Sequence, residues 1–168
     1  MKLQFNITGY QEATAEVQAA IVTGVRNGVE KLAVRGVGLV QNIAPVASGD
    51  LANHVSWKME GGAERMISAL VFAGPPADIY APAVEEGARP HFPPPGALLL
   101  WVKRRFNPSS EKEALSIAFA VAKNIAKRGT AGHHMFNRAG EELESVAQAI
   151  VELELAEALM ASGHGGKA

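Results

Sequence analysis

The chain has no cysteine among its 168 residues, which excludes disulfides, a thiolate nucleophile and cysteine-ligated zinc or iron–sulfur centres. That absence suits a reducing compartment or a role without a cofactor. The longest purely apolar run lies around Ala97 to Val102, far short of the roughly 20 residues that cross a bilayer. The opening Met-Lys-Leu-Gln-Phe-Asn lacks the apolar region of a secretory signal, so a soluble, intracellular protein is expected. Charge bias is also missing: a formal −1 at pH 7 gives no overall attraction to nucleic acid or membrane.

Catalytic signatures are absent too. Ser48, Asp50 and His54 are the residue types of a hydrolase triad, but no Gly-x-Ser-x-Gly elbow accompanies them. His133 and His134 are adjacent, so on a helix they would point apart, and no His-x-x-x-His or His-Glu-x-x-His spacing occurs. The pair reads as turn filler rather than as metal ligands. Glu85 and Glu86 could act as an acid/base pair, yet neighbouring carboxylates before Gly87 are commonly solvated or paired to a base such as Arg89. The glycines match neither the dinucleotide fingerprint nor the Walker spacing. The expectation is a protein without enzymatic activity, cofactor or metal.

What the sequence does have is a proline-rich connector from Ile79 to Trp101, containing Pro82, Pro90, Pro93, Pro94 and Pro95. Each proline fixes φ and removes a donor, so the segment cannot lie within a long helix or central strand. Before it, Leu3, Phe5 and Ile7 alternate with polar residues, predicting a strand over Lys2 to Thr8 that ends at Gly9. From about Gln11, Val17, Ile21, Val25, Val29, Leu32, Gly36, Val40 and Ile43 recur at steps of three or four. This predicts one helix of some thirty residues, about 45 Å long, ended by Pro45. A rod that long outruns a core of this size, so part of it is expected to pack on something else. Gly24 and Gly28 inside it mark either a close helix–helix approach or tolerated glycines.

Ser48-Gly49-Asp50-Leu51 predicts a short capped turn, and His54–Met59 with Met66–Ala73 predict a hairpin around Gly61-Gly62. Ile79–Glu86 can supply one or two helical turns stopped by Gly87. Gly96–Phe106 predicts a short helix with Leu98, Leu99, Trp101 and Val102 facing inward and Lys103, Arg104 and Arg105 at its C-terminal end. Ser110 caps a helix to Arg128 with Leu115, Ala118, Phe119, Ala122 and Ile125 or Ala126 on one side, broken by Gly129-Thr130-Ala131-Gly132. A last helix from about Asn137 to Met160 carries Leu143, Val146, Ile150, Leu153 and Leu155. With 48% apolar residues, the expectation is one α+β domain over 1–161, a long N-terminal helix packed on a small antiparallel sheet followed by C-terminal helices, with 162–168 disordered.

Charge is unevenly placed. Lys103 to Arg128 holds seven bases against two acids, a net +5, and Glu141 to Ala161 holds six acids and no base. Such blocks are either solvated helix faces or the complementary faces of copies docking head to tail. Lys103, Arg104, Arg105, Lys123, Lys127 and Arg128 could also make a basic face that touches phosphates without reading sequence, with a solvated helix end as the plainer reading.

Several segments in order carry a resemblance. They are Ala44-Pro45, Ser48-Gly49-Asp50-Leu51 and the hairpin, then Tyr80-Ala81, Val84-Glu85-Glu86-Gly87 and Arg89-Pro90-His91-Phe92. Ala97-Leu98, Trp101-Val102-Lys103 and the run Ala118 to Thr130 follow. Together, over about Gly9 to Glu157, they resemble the tail-component, or tail-completion, proteins of tailed bacteriophages, found at the head–tail junction. Ser48, Glu86 and Ala88 depart from the family's frequent threonine, aromatic and threonine. The resemblance implies that Ser48, Gly49, Leu51, Tyr80, Glu85, Gly87, Pro90 and Trp101 are structural motif residues. It also implies a virion protein assembled in the host bacterial cytoplasm as a homo-oligomeric ring, commonly a hexamer. Such a ring would contact the tail tube and neck, with DNA passing through its centre. The alternatives are a head-side adaptor or stopper ring, a small non-specific DNA-binding module, and an undetected hydrolase.

Overall fold

The structure is a computed structural model that describes residues 1–6, 13–45, 49–60 and 66–163. The expectations for Ile7 to Gly9, for Ser48, for the hairpin loop and for the tail from residue 164 lie outside the described residues. The fold is α+β, as the sequence predicts. The chain divides into two compact units, one holding Met1–Val40, Val55–Phe72 and the chain from Phe136, the other Gln41–His54 and Ala73–Met135.

The first unit contains β1 (Lys2–Asn6), β2 (Val55–Glu60), β3 (Met66–Ala73) and the long helices α1 (Ala15–Ile43) and α6 (Met135–Ala161). The sheet order is β1-β3-β2, and β1 runs antiparallel to β3 with Leu3 opposite Ala69 and Phe5 opposite Ile67. Met1 extends this ladder by exchanging two backbone hydrogen bonds with Val71, at 3.0 and 3.1 Å. As the central strand, β3 is covered on both faces: Ile67, Ser68, Ala69 and Val71 are all buried. The buried Ser68 hydroxyl donates to the Glu60 carbonyl at 2.8 Å, which offsets the cost of its desolvation.

In α1 the buried stripe is Ala20, Gly24, Val25, Gly28, Val29, Leu32, Ala33, Gly36 and Val40, and the helix stops two residues before Pro45. Small residues supply half of that stripe because α6 lies against it almost backbone to backbone. A Cβ on Gly24 would sit 2.6 Å from the Leu155 Cα, and one on Gly28 would sit 2.9 Å from the Val151 Cα. Further along, a Cβ on Gly36 would meet Leu143 Cδ1 at 3.1 Å and Val71 Cγ2 at 3.4 Å. Partners on α6 fall in number as those on α1 rise, so the two helices are antiparallel. Gly36 marks where α1, α6 and the sheet converge. Beside this seam the buried carboxylate of Glu154 pairs with Lys31. That hydrogen bond, more than any other influence, raises the Lys31 ammonium above its ordinary 10.5. The pair's contribution is therefore present below pH 10.5 and is lost as pH rises through the folded value.

The second unit is built from α2 (Asp50–Asn53), a 3-10 turn (Ala77–Ile79), α3 (Ala81–Glu86), α4 (Pro95–Phe106), α5 (Glu111–Arg128) and the two-residue strands β4 (Gly87–Ala88) and β5 (Thr130–Ala131). Pro82 and Pro95 fall in the first turns of α3 and α4, where a missing N–H costs nothing and a fixed φ is already helical. Asn107, left-handed at φ 46°, closes α4 by donating to the Lys103 carbonyl at 3.1 Å, and Pro108 prevents continuation. Ser110 then caps α5, accepting from Glu113 N at 3.2 Å. Val102, Ala114 and Ala118 form the core of this helical hairpin, with Leu98, Leu99 and Ile117 packed around it. Among the described residues, no helix is long and apolar enough to cross a membrane.

The glycine contacts give a direct test. Gly24→Ala is expected to lower the urea unfolding free energy by about 1–3 kcal/mol through overpacking. A Cβ on Gly38 meets nothing within 4 Å, so Gly38→Ala is expected to raise it by about 0.5–1 kcal/mol. Equal effects at both sites would show that the α1–α6 approach is not limiting.

Candidate assembly surface

The α4–α5 seam determines which side chains remain outside. Ala114, Ala118 and Ala122 form the buried line of α5, so this helix closes on α4 mainly through methyl groups, with Ile117 packed beside them. Leu115 and Phe119, predicted on the buried side, are instead 42% and 45% exposed. Trp101, predicted inward with Leu98, Leu99 and Val102, is 36% exposed and stacks edge-on with exposed Phe106, ring centroids 5.6 Å apart. Leu100 is exposed as well. A periodicity count weights large residues most, whereas a close seam selects the smallest ones, and here the second effect wins.

Beyond the hairpin, Ile79, Tyr80 and Phe92 of the connector are also exposed. Eight of the twelve exposed large apolar side chains among the described residues therefore belong to the second unit. Contiguous solvent-facing apolar groups are the kind of surface on which another molecule docks. Trp101 also walls an open groove of about 590 Å³, lined by Pro45, Val84, Leu98, Val121 and Ile125, wide enough to admit partner side chains.

Bases surround these apolar groups. On α5, Lys112, Lys123 and Lys127 are exposed together with Leu115 and Phe119. The four-residue steps from Leu115 to Phe119, Lys123 and Lys127 place those four along one side of the helix. Arg105, Lys112, Lys123, Lys127 and Arg128 make no ion pair among the described residues. Lys103 is paired with Glu111 at 3.0 Å, and Arg104 is exposed on α4. The acidic block is also partly engaged. Glu154 is buried against Lys31, leaving Glu141, Glu142, Glu144, Glu152 and Glu157 exposed on α6, with Leu153 and Met160 exposed beside them.

The remaining motif residues shape the connector. Gly49 stands before α2 at φ 87°, a left-handed position, and Leu51 behind it is buried. Tyr80 joins the 3-10 turn to α3. Its phenol is raised above the ordinary 10.0, first by desolvation and then by the charge of Asp50. Glu85 lies half-buried in the last turn of α3, and Pro90 is exposed in the connector. Gly87, the C-cap of α3 at φ 83°, pairs with Ala131 across the β4–β5 ladder, where a Cβ would lie 2.3 Å from the Thr130 carbonyl oxygen. The connector is thus clamped to the segment after α5. Nothing in the sequence signals so short a ladder, because two-residue strands have no periodicity.

No family model matches this chain, and no similar curated protein or solved structure is found.

The first turn of α5 yields a pH prediction. The Glu113 carboxylate accepts from the Ser109 hydroxyl at 2.6 Å and from the Ser109 N–H at 2.7 Å. These two bonds, the hydroxyl first, hold it below its ordinary 4.5. The stabilisation is present above pH 4.5 and is lost as pH falls through the lower folded value. Amide protection in the first turn of α5, taken relative to the intrinsic exchange rate at each pH, should therefore fall on acidification below pH 4.5 in the native chain, and less steeply in Glu113→Gln.

Proposed function

We propose that the protein is a structural subunit that assembles with copies of itself into a ring at the top of a bacteriophage tail. There it completes or terminates the tail and joins it to the neck of the head, within the virion. The observation that carries this reading is the exposed apolar surface of α4 and α5 set among unpaired bases. On α6 of a second copy, exposed Leu153 and Met160 stand among unneutralised acids and offer a face of matching chemistry. The order of motifs from Ala44 to Thr130 supports the phage assignment, and the reading involves no reaction and no cofactor.

Magnitudes favour closed assembly over a simple pair. Burying the exposed parts of Leu100, Trp101, Phe106, Leu115 and Phe119 would contribute roughly 1 kcal/mol each. The sum of about 5 kcal/mol lies at the low end of the 4–15 kcal/mol that association costs. One such face holds a pair weakly. A ring, in which every subunit uses two faces, closes the last contact without a further loss of translational freedom.

The experiment is native mass by light scattering with electron microscopy, on the protein alone and after addition to purified tails lacking it. Rings in either setting are expected. Lys123→Glu with Lys127→Glu should abolish them, and adding Glu152→Lys with Glu157→Lys should restore them. A chain that stays monomeric and does not add to tails overturns the reading, as does a phage of normal infectivity without it. A second reading draws on the same unpaired bases: a small module that binds DNA non-specifically. Salt-sensitive DNA binding by the isolated monomer would favour it.

A further inference from the structure

The clamp between the connector and the segment after α5 brings His134 beside the adjacent pair Glu85 and Glu86, from which it is far removed in sequence. A carboxylate oxygen of Glu85, one of Glu86 and an imidazole nitrogen of His134 lie within 4.8 Å of one another. Their backbones are held independently of the side chains. His133 N donates to the Val84 carbonyl at 2.8 Å and His134 N to the Glu85 carbonyl at 3.1 Å, so the histidine segment docks on the last turn of α3. The β4–β5 ladder adds Gly87 opposite Ala131 and Ala88 opposite Thr130. At Gly132 a Cβ would sit 2.3 Å from the Glu85 carbonyl oxygen and 3.0 Å from His134 Cε1. Only a glycine permits that approach, and it brings the ring over the carboxylates. His134 itself sits at φ 50°, a left-handed conformation that histidine adopts more readily than most non-glycine residues.

We propose that Glu85, Glu86 and His134 form a binding site for a divalent transition-metal ion of the zinc class. Two carboxylates and an imidazole form a mixed donor set that suits zinc, cobalt or manganese, and an imidazole donor disfavours calcium or magnesium. Metal–ligand distances of about 2.0–2.2 Å place the donors of one ion roughly 3–4 Å apart, within reach of three donors that lie inside 4.8 Å of one another. Exposed Glu86 and His134 can adjust to it by side-chain rotation while the clamped backbone stays fixed. Glu86 has no basic partner among the described residues, so a cation beside it gains the attraction of its charge. The bound ion would cross-link the end of α3 to the segment that follows β5 as a structural staple, with its remaining positions filled by water. This inference is independent of the ring.

The test is isothermal titration of the metal-free full-length protein with zinc chloride, supported by the visible absorption of the cobalt(II) form. One ion per chain is expected. Glu86→Gln and His134→Ala should each weaken binding at least tenfold and alter the cobalt spectrum, whereas His91→Ala and His133→Ala should leave both unchanged. Circular dichroism verifies that each variant is folded, and the near-isosteric Glu86→Gln keeps the test valid if His134→Ala does not fold. No saturable binding to the native chain overturns the proposal. So does binding that survives both site variants, or that is lost with His91 or His133 instead.

Discussion

The constraint on which the first unit depends is the near contact of two helix backbones, α1 at Gly24 and Gly28 with α6 at Val151 and Leu155. Two helices that touch this closely cannot slide or rotate without collision, so the contact fixes the register of both along their length. That register brings Gly36 under Leu143 and Val71, where helix and sheet share one core of Leu32, Val29, Val40, Leu143 and Val71. It also carries Glu154 to a buried place next to the seam, where a carboxylate is tolerable only with Lys31 against it.

Much of this was legible in the residues. The period of three and four from Val17 to Ile43 marks α1 to within a few residues, and Pro45 marks its end. Alternation marks β1 and the hairpin strands, and the two glycines of α1 left two readings of which the close approach is the observed one. These features are local: each follows from a repeat within one segment, and burial acts on that repeat directly.

What escaped was decided by partners distant in the chain. On α5 a line of leucine and phenylalanine overlaps a line of alanine, and periodicity alone does not say which one faces α4. The answer depends on how close α4 comes, and the alanines are inside. For the same reason Trp101 lies on a groove wall, not in the core. The meeting of Glu85, Glu86 and His134 depends on a ladder of two residue pairs and on the absence of a side chain at Gly132. None of these leaves a mark within its own segment. His133 and His134, read as turn residues, lie in irregular chain between β5 and α6 that is folded onto the end of α3.

The alanine line of α5 has a further consequence. Ala114, Ala118 and Ala122 have no side-chain torsion to freeze, so the buried line of α5 itself adds no rotamer entropy to the cost of packing on α4. The lysines and arginines, with Leu100, Trp101, Phe106, Leu115 and Phe119, stand on the outer side. The hairpin is therefore stiff inside and conformationally rich outside. Its surface retains an entropy that only a second molecule can take away, and the choice among outer conformers is left to whichever molecule arrives.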